Sequence, residues 1–297
     1  MLEKIQEKIQ SFLHQVEGEN VASLSAQMHF GKMLRSKLIL AICPHHPKTL
    51  ELCAIIEMIQ SASLLHDDVI DASQMRRGKS SLNAVFGDKN AIMLGDVFYA
   101  KAFFELTKLP PPIAQCIAKS VIELAKGEID DVFLSTHFNP HKDKYLQMLQ
   151  DKTASLIAAS AESAAILAGL EASKYRDYGR NLGIAFQIID DLLDITQDSK
   201  TLGKPAMSDF KEGKTTLPYI LLYAALPEEQ KKILISYFRE DTIQAQKWLK
   251  EHFEEYGIIA LVAQEAREYG QRALAAIAKE SNPLLEEVVQ TMIYREF

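Results

Sequence analysis

Apolar residues recur at three- and four-residue steps along almost the whole chain, and sustained alternation of period two is scarce. That is the period of a helix face, not of a strand, so it restricts the chain to an all-α architecture. Stretches 3–16, 22–43, 50–71, 89–107, 112–134, 143–169, 172–198, 215–225, 228–236, 241–251, 257–279 and 283–294 read as helices. Between them stand Pro44, Pro47, Gly78, Gly87, the Pro110–Pro112 run, Pro140, Gly203, Pro205, Pro227 and Pro283. Only 13 glycines and 10 prolines occur in 297 residues, a shortage that suits long helix interiors. No composition break, Gly/Ser linker or fixed-period repeat divides the chain, so the expectation is one all-helical domain over 1–297. The polar stretch 196–214, rich in lysine and glycine, reads as a long loop, a lid or clamp after a helix that ends in aspartates.

Several classes are excluded early. The net charge is −7 and no Lys/Arg block forms a basic face, which argues against a general nucleic-acid binder. The first sixteen residues carry charges throughout and do not read as a signal peptide. No run of about 18 uncharged apolar residues is present to span a bilayer. Cys43, Cys53 and Cys116 are few, scattered and odd in number, which points to a reducing cytoplasm; without a spanning run, no membrane anchor is expected.

Chemistry concentrates in two places. In Leu64-Leu65-His66-Asp67-Asp68-Val69-Ile70-Asp71 the helical spacing puts Asp67 and Asp71 on one face, with Asp68 beside them. Like charges at that spacing repel, and the flanks are apolar enough to bury most of the helix, so a counter-cation is expected. Oxygen-only ligands favour a hard ion, Mg²⁺ before zinc. A single such motif could equally be a solvated acidic helix end. The second, Phe186-Gln187-Ile188-Ile189-Asp190-Asp191-Leu192-Leu193-Asp194, repeats the spacing inside another apolar helix. Two such helices facing each other across a bundle would make an acidic throat for several Mg²⁺ ions and a diphosphate. Arg76 and Arg77 follow the first motif and suit bidentate phosphate contacts, though an Arg-Arg-Gly also reads as a plain surface turn.

Taken together, GKMLRS (31–36), LLHDDVIDASQMRRGKSSLN (64–83), GDVFYAKAF (95–103), GE (127–128), KTA (152–154), GIAFQIIDDLLDI (183–195), LGK (202–204) and EGKTTLP (212–218) resemble the trans-isoprenyl diphosphate synthase, or polyprenyl synthetase, family. The likeness is greatest to its bacterial octaprenyl-type long-chain members. It implies an isoprenoid-synthase-type helical bundle around a central cavity, working as a homodimer. It implies condensation of isopentenyl diphosphate with an allylic diphosphate (farnesyl or geranylgeranyl) to a long all-trans product for a respiratory quinone.

By the same resemblance Asp67, Asp68, Asp71, Asp190 and Asp194 would hold three Mg²⁺ ions, with Asp191 in support. Arg76, Lys152, Lys204 and Lys214 would hold the allylic diphosphate, and Lys32, Arg35, Arg77 and Gln60 the isopentenyl diphosphate. Thr153 and Gln187 would line the reacting carbons. Gln60 stands where many members have histidine, and Phe30-Gly31-Lys32-Met33 replaces the usual opening.

Chain length follows from geometry. Ala62, five residues before Asp67, lies roughly 7.5 Å down the helix, with Ser63 beside it. Small residues there leave a hole for a growing tail walled by Ile59, Leu94, Val97 and Phe98, with Phe133 as its floor; close helix packing is the bland alternative. Four other readings stay open: a short-chain synthase, a terpene cyclase with one aspartate motif, a metal phosphohydrolase built on His66-Asp67, and a non-catalytic partner subunit of the same fold.

Overall fold

The structure, a computed structural model, describes residues 1–197, 207–280 and 282–293. Its elements are helices apart from one two-stranded hairpin, so the all-α expectation holds among the described residues. They divide into two compact units, Met1–Val121 with Ala159–Tyr175, and Ile122–Ala158 with Arg176–Phe297.

The first unit is organised around α4 (Thr49–Ile70), reached through α1 (Leu2–His14), α2 (Glu19–Ser25) and α3 (Leu34–Ile42). Ile5, Ile9 and Phe12 form the buried stripe of α1, at the spacing an amphipathic helix needs. α4 is buried on nearly every side from Leu52 to Ser63. After it come the hairpin strands β1 (Met75–Arg76) and β2 (Lys79–Ser80), the short α5 (Leu82–Phe86) and α6 (Asp88–Leu106), which packs along α4. The two long helices approach closely because residue 95 is glycine: a Cβ there would lie 2.3 Å from His66 Nε2.

The second unit takes in the later part of α7 (Pro111–Leu134), then α8 (Lys142–Leu149), a π-helical turn (Gln150–Ala154), the first turn of α9 (Ser155–Ala168) and most of α10 (Ala172–Thr196). It continues with α11 (Ser208–Lys211), α12 (Leu217–Ala225), α13 (Glu228–Ser236), α14 (Ile243–Glu255), α15 (Ile258–Ala276) and α16 (Pro283–Ile293). An aromatic cluster binds its elements: Phe210 stacks on Tyr219 with centroids 4.1 Å apart, and Phe138 and Phe238 meet Phe210 edge-on.

Two helices expected to be continuous are interrupted. The 22–43 segment breaks between Ser25 and Leu34 because the backbone there gives up helical bonds for a tertiary one: Arg77 Nη1 donates to the His29 carbonyl at 3.1 Å. Met33 enters α3 in the left-handed conformation, φ 49°. The 143–169 segment widens into the π turn at Gln150–Ala154. Such turns insert one extra residue and often accompany functional sites. No helix among the described residues is long and apolar enough to cross a membrane.

Candidate active site

Within the first unit the aspartates end α4. Asp68 is buried, Asp67 half-buried and Asp71 exposed. Arg76 donates to Asp68 Oδ1 from Nε and from Nη2, each at 2.6 Å, which supplies the charge compensation that a buried carboxylate requires. The hairpin makes that reach possible. Arg77 and Gly78 form its two-residue turn, both at positive φ (53° and 74°), the backbone that matches strand twist in tight hairpins. Asn83 Nδ2 closes the corner by donating to the carbonyls of Asp68 (3.2 Å) and Ser73 (3.1 Å). The Arg-Arg-Gly segment is a turn, then, and one that carries the Arg76 guanidinium to Asp68 and the Arg77 guanidinium to the His29 carbonyl.

Arg35 completes a cationic group with Arg76 and Arg77. Burial pushes the Arg35 guanidinium down to about 10; Glu57 opposes that shift and Arg77 adds to it. Its Nε is inaccessible to water and has no hydrogen-bond partner among the described residues. Arg77 is also lowered, by burial and then by Arg76. Glu57, a carboxylate in the middle of an apolar helix, accepts from the Ser36 backbone (3.2 Å) and hydroxyl (2.7 Å). Gly31 lets Arg77 lie flat on the chain, since a Cβ there would sit 2.4 Å from its Cζ. Three guanidinium groups held in mutual repulsion, one with an orphan donor, form a site suited to a polyanion. Lys32 is exposed and Gln60 half-buried.

Within the second unit the π turn carries Lys152 and Thr153. Lys152 Nζ lies 2.5 Å from Asp131 and 2.9 Å from Glu128 of α7. Gly127 and Gly183 press the neighbouring helices onto this turn: a Cβ on the first would lie 2.2 Å from Lys152 N, on the second 2.6 Å from Ala154 Cα. Thr153 Oγ1 donates to Gln187 Oε1 at 3.3 Å. Lys214 is half-buried, with Nζ 3.3 Å from Glu212 Oε2. Lys204 lies outside the described residues.

The second aspartate trio divides. Asp190 is exposed. Asp191 turns inward and accepts from the Tyr145 hydroxyl (2.5 Å) and Gln187 Nε2 (2.9 Å). Burial, reinforced by Asp209, holds its carboxyl well above the usual carboxylate range, against those two hydrogen bonds. Asp194 is also buried and accepts from the Ser208 hydroxyl (2.9 Å) and the Asp209 backbone (3.2 Å). The expectation that Asp191 and Asp194 join Asp190 as metal ligands therefore meets side chains already engaged by the protein.

Among the described residues no group of three or more Asp, Glu, His or Cys side chains forms a ready cage for a metal. The exposed or half-buried carboxylates Asp67, Asp71 and Asp190 nonetheless fit Mg²⁺. That ion keeps several waters and takes one or two carboxylates plus substrate phosphate oxygens, not an all-protein cage.

The three chain-length residues lie in different surroundings. Ala62 is 0% and Ser63 4% exposed, so both are packed among neighbours. Phe133 is 72% exposed on α7, and its own unit does not wall it in as a channel floor.

An all-α fold that carries clustered arginines, a lysine on a π turn and two aspartate trios has the groups with which a class of enzymes handles phosphate esters. The chain matches the polyprenyl synthetase family model over residues 20–256 and belongs to that family, the trans-prenyl diphosphate synthases. It is similar to the octaprenyl pyrophosphate synthase of Helicobacter pylori, 52% identical with a TM-score of 0.95 over 99% of this chain and 98% of that one. It is likewise similar to a polyprenyl synthase from Caulobacter crescentus complexed with calcium and isoprenyl diphosphate, 30% identical with a TM-score of 0.88 over 99% and 96%. The octaprenyl diphosphate synthase of Escherichia coli is 36% identical over 231 residues, 76% of this chain and 72% of that protein. Short-chain synthases also occur among the relatives.

Proposed function

We propose that the protein adds isopentenyl diphosphate repeatedly to farnesyl or geranylgeranyl diphosphate, giving an all-trans polyprenyl diphosphate of about thirty to forty-five carbons, with the octaprenyl product favoured. The observation that carries the diphosphate chemistry is the Arg35, Arg76 and Arg77 group with the unpartnered Arg35 Nε. The preference for a long product is supported by the 52% identity to an octaprenyl synthase over 99% of this chain.

In this reading Lys32, Arg35, Arg77 and Gln60 hold isopentenyl diphosphate, and Arg76, Lys152, Lys204 and Lys214 the allylic diphosphate. Asp67, Asp71 and Asp190 would hold Mg²⁺, three ions per site, with Asp68 occupied in steadying Arg76. When bound, Mg²⁺ neutralises phosphate charge and favours departure of the diphosphate. The allylic carbon–oxygen bond breaks with its electron pair leaving on diphosphate. The isopentenyl double bond supplies the electrons of the new carbon–carbon bond, and the proton lost from the adjacent carbon goes to the released diphosphate. Lys152 and the arginines stabilise the negative charge as it collects on the leaving group. Thr153 and Gln187 turn oxygen dipoles toward the positive carbon.

Both units are read as one catalytic domain around a central cavity, and the molecule as a cytoplasmic homodimer making the tail of a respiratory quinone. Dimerisation is supported by apolar side chains exposed on α6 (Met93, Phe104) and α7 (Ile122, Ile129, Phe133), and the cytoplasmic assignment by cysteine usage.

The test is incubation with farnesyl diphosphate, labelled isopentenyl diphosphate and Mg²⁺, with products resolved by length. A ladder ending at about six to nine isoprene units is expected. Growth stopping at three or four units would make this a short-chain enzyme, and no incorporation would leave a cyclase or a partner subunit.

A further inference from the structure

A line of hydrogen bonds in the second unit runs from a buried tyrosine to the half-buried π turn. It starts at Tyr145 of α8, 1% exposed, passes through Asp191, 4% exposed, to Gln187, and ends at Thr153 of the π turn. The Tyr145 hydroxyl donates to Asp191 Oδ2 at 2.5 Å. On its other oxygen, Oδ1, Asp191 accepts from the NH₂ end of Gln187 at 2.9 Å. The carbonyl end of Gln187 is thereby turned the other way. There Thr153 takes one of its two lone pairs. Reversing the amide would set Gln187 Oε1 against Asp191 Oδ1, two acceptors with no proton between them.

We propose that Tyr145 and Asp191 are positioning residues that lock the Gln187 amide with its carbonyl oxygen toward the carbon losing diphosphate. This rests on the proposed prenyltransfer reaction, and it gives Asp191 a task other than metal binding. A fixed dipole costs no reorganisation when positive charge develops. A rotating amide stabilises that charge less and leaves more of the activated substrate to water, which releases the allylic alcohol.

The test uses the full-length protein with Tyr145→Phe, which deletes one oxygen, and Asp191→Asn, which can present either a donor or an acceptor to Gln187. Both variants are expected to lose about ten- to a hundredfold in kcat. KM for both diphosphates and the Mg²⁺ half-saturation should stay within about twofold, and the share of substrate released as alcohol should rise several-fold. A second measurement needs neither metal nor substrate: the side-chain NH₂ of Gln187, followed by NMR, exchanges with solvent more slowly in the wild type than in either variant. Wild-type kcat and alcohol release in Tyr145→Phe would overturn the proposal. So would a large rise in Mg²⁺ half-saturation in Asp191→Asn without extra alcohol, or equal exchange rates in all three proteins. If the wild type incorporates no isopentenyl diphosphate, the prenyltransfer reading fails while amide exchange still decides the positioning.

Discussion

Arg76 reaches Asp68 with two nitrogens on a single oxygen, Oδ1, at 2.6 Å each. The end of α4 and the hairpin are therefore one unit electrostatically. The contact keeps a carboxylate buried while its neighbours Asp67 and Asp71 remain open to water.

Arg76→Ala leaves Asp68 buried without its counter-charge. Loss of one partner of a buried pair costs about 3–5 kcal/mol, and the partial exposure of Arg76 places this case near the lower end. Urea denaturation should show that loss, with Arg76→Lys intermediate, and the KM for the allylic diphosphate should rise in both.

Asp67→Ala separates metal chemistry from folding. Asp67 is half-buried at the helix end, so the melting temperature is expected to stay close to that of the wild type. kcat should fall by about a hundredfold or more. Chelation of divalent ions should abolish turnover in the wild type, and added Mg²⁺ should restore it.

The pH dependence of isopentenyl diphosphate binding follows from Arg35. Burial lowers its guanidinium to about 10, still above neutrality, so the cation persists at physiological pH and is lost as pH rises through about 10. KM measured against pH should be flat with respect to this group around neutrality and climb on the alkaline side. Arg35→Ala should raise KM throughout and remove that alkaline limb.

The glycines offer a contrast. Gly183→Ala drives a Cβ to 2.6 Å from Ala154 Cα, and backbone cannot yield cheaply. The expected cost is about 1–3 kcal/mol, with a fall in kcat as the π turn shifts. Gly31→Ala meets only the movable end of Arg77. It should cost no more than about 0.5 kcal/mol but weaken isopentenyl diphosphate binding.

Ala62→Tyr is expected to shorten the main product, read by chromatography of the dephosphorylated alcohols. Because Ala62 is 0% exposed, the ring also overpacks α4, at about 1–3 kcal/mol. An unchanged length would leave Ala62 with a packing role alone.

Much of this was legible in the sequence, because it is local. A helical period, the doubled aspartate spacing and the position of an Arg-Arg-Gly turn each depend on residues within a turn or two of one another, and the all-α class follows from them. Which way each carboxylate faces is different, because it depends on partners far along the chain. Asp191 is claimed by Tyr145, 46 residues away, and the break before α3 answers to Arg77, 48 residues from His29. The doubled motif reads as five metal ligands with Asp191 in support, and burial sorts the six into Asp67, Asp71 and Asp190 at or near the surface and Asp68, Asp191 and Asp194 within. Desolvation makes that difference, since a buried carboxylate must be satisfied by the protein before it can serve a metal. The sequence by itself determined the helices and the chemical groups they carry; the tertiary structure alone decided which of those groups meet water and which are spent on holding the others in place.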